Sequence, residues 1–251
     1  MARTIAVTGK GGVGKTTVAA LIIRHLRAAA RGAILAMDAD PDCNLGTVLG
    51  IPVETTIGEL REELLKEMRN FPPGMSKQQY IEAGLHQIIV ETPKVDLITM
   101  GRGEGPGCYC FVNNVLRKFA DDLTPSYEWV VMDNEAGLEH LSRRTASRID
   151  HLVVVVNASP LSHDCARRID RLLDELGRHV AHKHFLLNAV RDDRADAVRR
   201  ALADLSLENL GSVPADDSVE EAAIRGEPIY DVPDGPAVRA IAEVMGRMGA
   251  A

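Results

Sequence analysis

Short apolar runs alternate with helical patterns along this chain. The runs are TIAVT (Thr4 to Thr8), AILAMD ending at Asp38, VDLITM ending at Met100 and WVVMD ending at Asp133. HLVVVVN ending at Asn157, HFLLN ending at Asn188 and LGSV ending at Val213 complete the series. They are rich in Val, Ile and Leu and do not alternate with polar residues, which is the pattern of parallel strands buried on both faces. Helical patterns between strands imply βαβ units. The pattern predicts an α/β fold: a mostly parallel, doubly wound sheet with helices on both faces.

One stretch, from about Ile51 to Lys94, interrupts the alternation. Thr56 and Glu59 have the spacing of a capping box, and Ile57, Leu60, Leu64, Leu65 and Met68 then share a helical face. NFPPG ends that helix. Ser76 and Gln79 open another, with Tyr80, Ile81, Leu85 and Ile88 as its apolar face. The reading is a single domain over residues 1–251 with a helical insertion at about 51–94.

Composition narrows the function classes. The chain has 251 residues, 45% hydrophobic and 26% charged, as expected of a globular protein with a sizeable core. Aromatics make up only 4%, so the core rests on Leu, Val, Ile and Ala. The net charge of −7 gives no basic footprint, so no nucleic-acid partner is expected. No run of 18 apolar residues and no signal-peptide order at the N-terminus are found, so a cytoplasmic protein without a membrane partner is expected. Four cysteines are too few for a disulfide scaffold and suit metal binding or redox chemistry better.

The strongest motif is GKGGVGKTT, Gly9 to Thr17, placed after a strand and at the start of a helix. Gly9, Gly14, Lys15 and Thr16 fit the phosphate loop of nucleotide triphosphatases. Glycines at Gly9, Gly11, Gly12 and Gly14 let the backbone amides of the loop, through Val13 to Thr17, approach phosphate, and the helix N-terminus favours the anion. Lys15 is suited to the β- and γ-phosphates, and the Thr16 hydroxyl to Mg²⁺. Downstream, DADPDCN places Asp38 and Asp40 two apart after the second strand, so an extended chain points them the same way. Asp133 ends a buried strand and suits Mg²⁺ or its waters, and Gly137 follows where an amide can reach the γ-phosphate. Asn188 ends FLLN and can both donate to and accept from adenine. NAVRD, not an N-K-x-D guanine reader, follows it, so ATP is favoured over GTP.

GPGCYCFVNN holds Cys108 and Cys110 in a C-x-C pair. Two thiolates fill half of a tetrahedral ion, so two chains meeting face to face supply four. Four thiolates suit Zn²⁺, Ni²⁺ or a [4Fe–4S] cluster. Cys43 reads as a helix-start residue, and Cys165 lies on a helix whose core stripe is Ile169, Leu172, Leu173 and Leu176. His163 reads as a surface or capping residue, and the remaining histidines show no metal-ligand spacing.

Lys10, a second lysine inside the loop, is not needed by an ordinary phosphate loop. The sequence GKGGVGKT resembles the deviant signature of the MinD/ParA/nitrogenase-iron-protein class of dimeric ATPases. That resemblance implies that Lys10 reaches the nucleotide of a partner chain, that Asp40 orients the attacking water and that Asp38 holds a water on Mg²⁺. It also implies that Asn188 reads the adenine edge and that the segment at Pro214 packs on the base. Together with DADPDCN, the C-x-C pair and DNEAGLEHLSRRT, the chain resembles the carbon monoxide dehydrogenase accessory family, CooC. This implies an ATP-hydrolysing homodimer that assists nickel insertion into the nickel–iron–sulfur cluster of a carbon monoxide dehydrogenase client, with Cys108 and Cys110 holding Ni²⁺ or Zn²⁺ across the dimer. The acetyl-CoA synthase maturation factor of AcsF type shares these motifs and stays open, as does an iron–sulfur electron-transfer ATPase of nitrogenase-iron-protein type. A MinD-like membrane helix is not expected, because GPAVRAIAEVMGRMGAA has two arginines and no aromatic, and reads as a core-packed last helix with Val238, Ile241, Ala242 and Met245 on one face.

Overall fold

A computed structural model describes residues 2–67, 83–101, 123–135, 149–176 and 180–249. The strands are β1 (Arg3–Gly9), β2 (Ile34–Ala39), β3 (Val95–Thr99), β4 (Trp129–Asn134), β5 (Ile149–Val156), β6 (Val180–Asn188) and β7 (Glu208–Val213). All seven apolar runs of the sequence fall on them. They form one sheet in the order β3-β2-β4-β1-β5-β6-β7, every pairing parallel.

Helices cover both faces. On one side lie α1 (Lys15–Ala29), α2 (Leu45–Leu49), α6 (Asp217–Arg225) and α7 (Pro236–Arg247), packed on Ile5, Val7, Ala36, Val131, Val153, Val155 and Leu186. On the other lie α3 (Ile57–Glu67), α4 (Pro160–Leu176) and α5 (Asp192–Ala201), packed on Ala6, Met37, Met132, Val154, Val156 and Leu187. Alternate residues of each strand thus serve opposite cores, which is why the runs show no polar face. The fold is the doubly wound α/β sheet expected.

The helical stretch is built as its start signal predicts. The Glu59 carboxylate accepts from the Thr56 N–H at 2.8 Å, and the Thr56 hydroxyl accepts from the Glu59 N–H at 3.2 Å, a closed capping box at the head of α3. Ile57 and Leu60 are buried against Leu85 and Ile88, which come from the helical turn 83–87 and its exit. The side chains of Leu64 and Leu65, and residues Met68, Ser76, Gln79, Tyr80 and Ile81, lie outside what is described.

Two helix faces differ in detail. On α4 the buried stripe is Ser162, Ala166, Ile169 and Leu173, while Leu172 is 37% exposed. Ile169 and Leu173 are four apart and share a face, and Leu172, one residue away, falls on its flank. On α7 the buried face is Ala237, Ile241, Val244 and Met245, and Ala242 points to solvent. The helix is core-packed, as its composition suggests, but rotated toward its valine and methionine, which offer more apolar area than alanine.

Candidate functional site

β1 sits in the middle of the sheet with β4 on one side and β5 on the other. The chain leaves β1 toward β2 and later crosses to β5 on the opposite side. The C-terminal end of β1 is therefore the switch point of the sheet, where open α/β folds hold ligands. The phosphate loop occupies that end.

The loop owes its shape to three glycines at positive φ: Gly9 (146°), Gly12 (79°) and Gly14 (87°). A side chain on Gly9 would collide with the Val155 carbonyl oxygen, and one on Gly14 with the Asn188 amide. Gly11 and Gly12 have open space above them, and both are exposed. Gly14 is the N-cap of α1, and no side chain caps that terminus. Its amides are thus left to a ligand, which is how helix starts bind phosphate. Lys15 is 7% exposed in the first turn, with Thr16 beside it, whereas Lys10 is half-exposed, its ammonium nearest the Gly11 carbonyl at 3.5 Å.

Register brings three polar residues into a row at the strand ends. Thr99 of β3 pairs with Asp38 of β2, which pairs with Asp133 of β4. All three are buried, at 2%, 0% and 0% exposure. Both Asp133 oxygens lack a donor at hydrogen-bonding distance, the nearby Thr16 hydroxyl included. Burial raises the Asp133 pKa to about 7, opposed by Thr16 and the Lys15 charge and assisted by Asp38 and Asp40. An orphaned buried carboxylate beside a hydroxyl and a phosphate loop is the donor set a hard divalent cation takes, so the residues present fit Mg²⁺.

Asp38 and Asp40 do not act as an extended pair. The chain turns at Asp40, and Asp38 accepts from the N–H groups of Asp40 (3.2 Å) and Leu45 (2.9 Å). Asp38 thereby ties the loop to the first residue of α2. Burial raises its pKa to about 6 against those two hydrogen bonds. Asp40 is less buried and accepts from the Asp42 N–H at 3.0 Å. Cys43 closes this turn in the left-handed region at φ 54°, just ahead of α2.

Asn188 is brought from β6 to the phosphate loop, where its amide N–H donates to the Val13 carbonyl at 2.8 Å. That contact was not legible in the sequence. Pro214 follows the end of β7, whose Val213 is paired with Asn188. His163 is buried and its Nε2 bonds the Asn157 carbonyl at 3.0 Å, so it ties the first turn of α4 to the end of β5 instead of standing at the surface or capping the helix. Cys108, Cys110 and Gly137 lie outside the described residues, and among the described residues no three His, Cys, Asp or Glu donors converge as a metal site.

Residues 4–229 match the model of the CobQ/CobB/MinD/ParA nucleotide binding domain. The chain belongs to that family. An uncharacterized ATP-binding protein of Methanocaldococcus jannaschii is 42% identical over 232 residues, 92% of this chain and 91% of that protein. The carbon monoxide dehydrogenase accessory protein CooC of Rhodospirillum rubrum is 33% identical over 266 residues, 94% of this chain and 91% of that one. Among solved structures, the MinD protein of Pyrococcus horikoshii complexed with Mg-ADP superposes with a TM-score of 0.68 at 22% identity, covering 98% of this chain and 96% of that one. A ParA family ATPase of Chlorobium tepidum superposes at 0.69 and 19% identity, covering 96% of each. These two likenesses establish the MinD/ParA phosphate-loop fold. No helix among the described residues is long and apolar enough to cross a membrane.

Proposed function

We propose that this protein is an ATP-hydrolysing homodimeric metallochaperone that assists nickel insertion into the nickel–iron–sulfur cluster of carbon monoxide dehydrogenase. The observation that carries the reading is the C-x-C pair, Cys108 and Cys110, in a MinD/ParA-family chain that is 33% identical to CooC over 94% of its length.

ATP is the substrate, and water converts it to ADP and phosphate. The amides of Gly11 to Thr17 and the Lys15 ammonium hold the phosphates. Thr16 and Asp133, with Asp38 beside them, would hold Mg²⁺, and the ion would neutralise phosphate charge there. Asp40, at the surface of its turn, orients the attacking water, whose proton leaves with the phosphate. Lys10 extends into the partner's site and stabilises charge on the transferred phosphoryl group. The Gly137 amide senses the γ-phosphate. Asn188 and Pro214 hold adenine. The C-x-C pairs of two chains form one four-thiolate site for Ni²⁺ or Zn²⁺ as cargo.

The test is an anaerobic titration of wild type and Cys108→Ser/Cys110→Ser with Ni²⁺ and Zn²⁺, with mass measured with and without ATP. One thiolate-bound ion per two chains, lost in the double variant and accompanied by dimerisation, is expected. Absence of cysteine-dependent binding leaves an ATPase of this family with another cargo.

A further inference from the structure

The segment that follows β7 is held on both flanks. On one flank, Val213 ends β7 in register with Asn188, and its carbonyl accepts from the Ala189 N–H at 2.9 Å. Pro214 comes next and has no N–H of its own to fix it. On the other flank stands Asp216, the N-cap of α6, whose Oδ1 accepts from the Ser218 N–H at 3.0 Å. That bond is an ordinary local cap.

The second oxygen reaches much further along the chain. Oδ2 of Asp216 accepts from the Ala237 N–H at 3.0 Å, across 21 positions. Ala237 lies in the first turn of α7, whose N-cap, Gly235, has no side chain and whose first residue is Pro236. Asp216 therefore caps two helices at once, and the positive ends of α6 and α7 converge on one carboxylate. Gly235 makes room for it, because a Cβ there would collide with Oδ2. At φ −84° the Gly235 backbone is one that any residue adopts, so its missing side chain serves only that approach. The head of α7 is tied in turn to α1, since Arg24 donates to the Asp234 carboxylate at 2.9 Å. A continuous path thus runs from the Pro214 segment, through Asp216 and the head of α7, to the helix that begins at Lys15 and Thr16.

We propose that Asp216 is a positioning residue for the base of the nucleotide. By clamping the heads of α6 and α7 together, it fixes where the Pro214 segment stands relative to Asn188 and the phosphate loop. Both of its oxygens are engaged by helix N–H groups, so it acts through Pro214 and not by touching the nucleotide. This role rests on the reading that Asn188 and Pro214 hold adenine. Loosening the clamp weakens the grip on the base. It leaves the phosphate grip and the chemical step alone, because Lys15, Thr16 and Asp40 lie beyond β1 and β2.

The test compares two ligands on the full chain with Mg²⁺: ATP, and inorganic tripolyphosphate, which has the phosphates and no base. Affinities are measured by calorimetry, and kcat and KM for ATP are measured alongside. Asp216→Asn keeps one acceptor oxygen, enough to cap α6, and gives up the bond to Ala237. Gly235→Ala keeps the carboxylate and pushes it off Ala237. Both variants should weaken ATP binding about fivefold and raise KM alike, the worth of one hydrogen bond. Tripolyphosphate affinity and kcat should stay at the wild-type values. Unchanged ATP affinity in both variants overturns the clamp and leaves the base site standing. Equal loss of both ligands overturns it as well, because the cap then serves only the fold. Loss in Asp216→Asn alone shows a carboxylate that touches the nucleotide, which overturns the positioning role. Wild type that binds tripolyphosphate as tightly as ATP removes the base site, and the proposal with it.

Discussion

Gly14 shows most directly how one residue sets the site. At φ 87° it stands against Asn188, so Gly14→Ala brings both backbone strain and a collision. Strain of this kind costs of order 1–3 kcal/mol. Gly14→Ala should lower the melting temperature and abolish binding of a fluorescent ATP analogue. Lys10 is different: the hydrogen bond its ammonium makes among the described residues is to the Gly11 carbonyl, at 3.5 Å. Lys10→Ala should keep nucleotide affinity within a few-fold and lower ATP turnover by roughly 10³, the scale of a cationic finger. Turnover at the wild-type rate by a dimer of that variant would remove Lys10 from the mechanism.

Asp133 and Asp38 link the site to stability. Their pKa values, about 7 and about 6, lie above the ordinary 3.8, so the folded chain holds protons that the unfolded chain has lost. The stability they contribute is fully present below about pH 4 and is lost as pH rises through about 6 to 7. Asp133→Asn should therefore raise the melting temperature of nucleotide-free protein at about pH 8, with the gain vanishing near pH 4, while Mg²⁺-dependent turnover is lost. A melting temperature lowered at about pH 8 would show that Asp133 is not a buried, unpartnered charge.

At the scale of elements, the loops between strand and helix carry the chemistry and the helices hold them in place. Asp38 fixes the start of α2, so the turn holding Asp40 is anchored at both ends. The α3 capping box is a local device on the insertion. Thr56→Ala should cost about 0.5–2 kcal/mol. Hydrogen exchange should show faster opening of α3 amides, while β1 and β4 keep their protection. Uniform loss across the sheet would show that α3 belongs to the same cooperative unit as the core.

For the whole molecule, the proposed dimer needs a face beside the phosphate loop. Leu161, in the first turn of α4, is 59% exposed and lies one turn before Cys165. Burial raises the Cys165 thiol pKa, while the charges of Arg168, Lys15 and Lys10 pull it down, which places this helix face next to the loop lysines. An exposed leucine beside a charged loop is suited to burial against a second chain. Leu161→Asp should block ATP-dependent dimerisation in light scattering and leave ATP binding by the monomer intact. A dimer of unchanged stability would move the interface away from α4.

Much of this molecule was determined by its sequence. Burial on both faces requires runs of Val, Ile and Leu, so all seven strands could be read from them. The phosphate loop was legible because glycines at fixed spacing answer a local need for positive φ. The Thr56–Glu59 box was legible because its hydrogen bonds join residues three apart. What the tertiary structure decided is whatever depends on residues distant in the chain. It set Asn188 on the Val13 carbonyl, across 175 positions. It aligned Thr99, Asp38 and Asp133 by strand register, which no periodicity encodes. It turned the chain at Asp40, where an extended reading paired Asp38 with Asp40. It also brought the Asp216 carboxylate to the Ala237 N–H, across 21 positions. The spacing of Asp216 and Ser218 was the one available signal of a cap, and the second helix it serves emerges only once α6 and α7 are seen to start side by side.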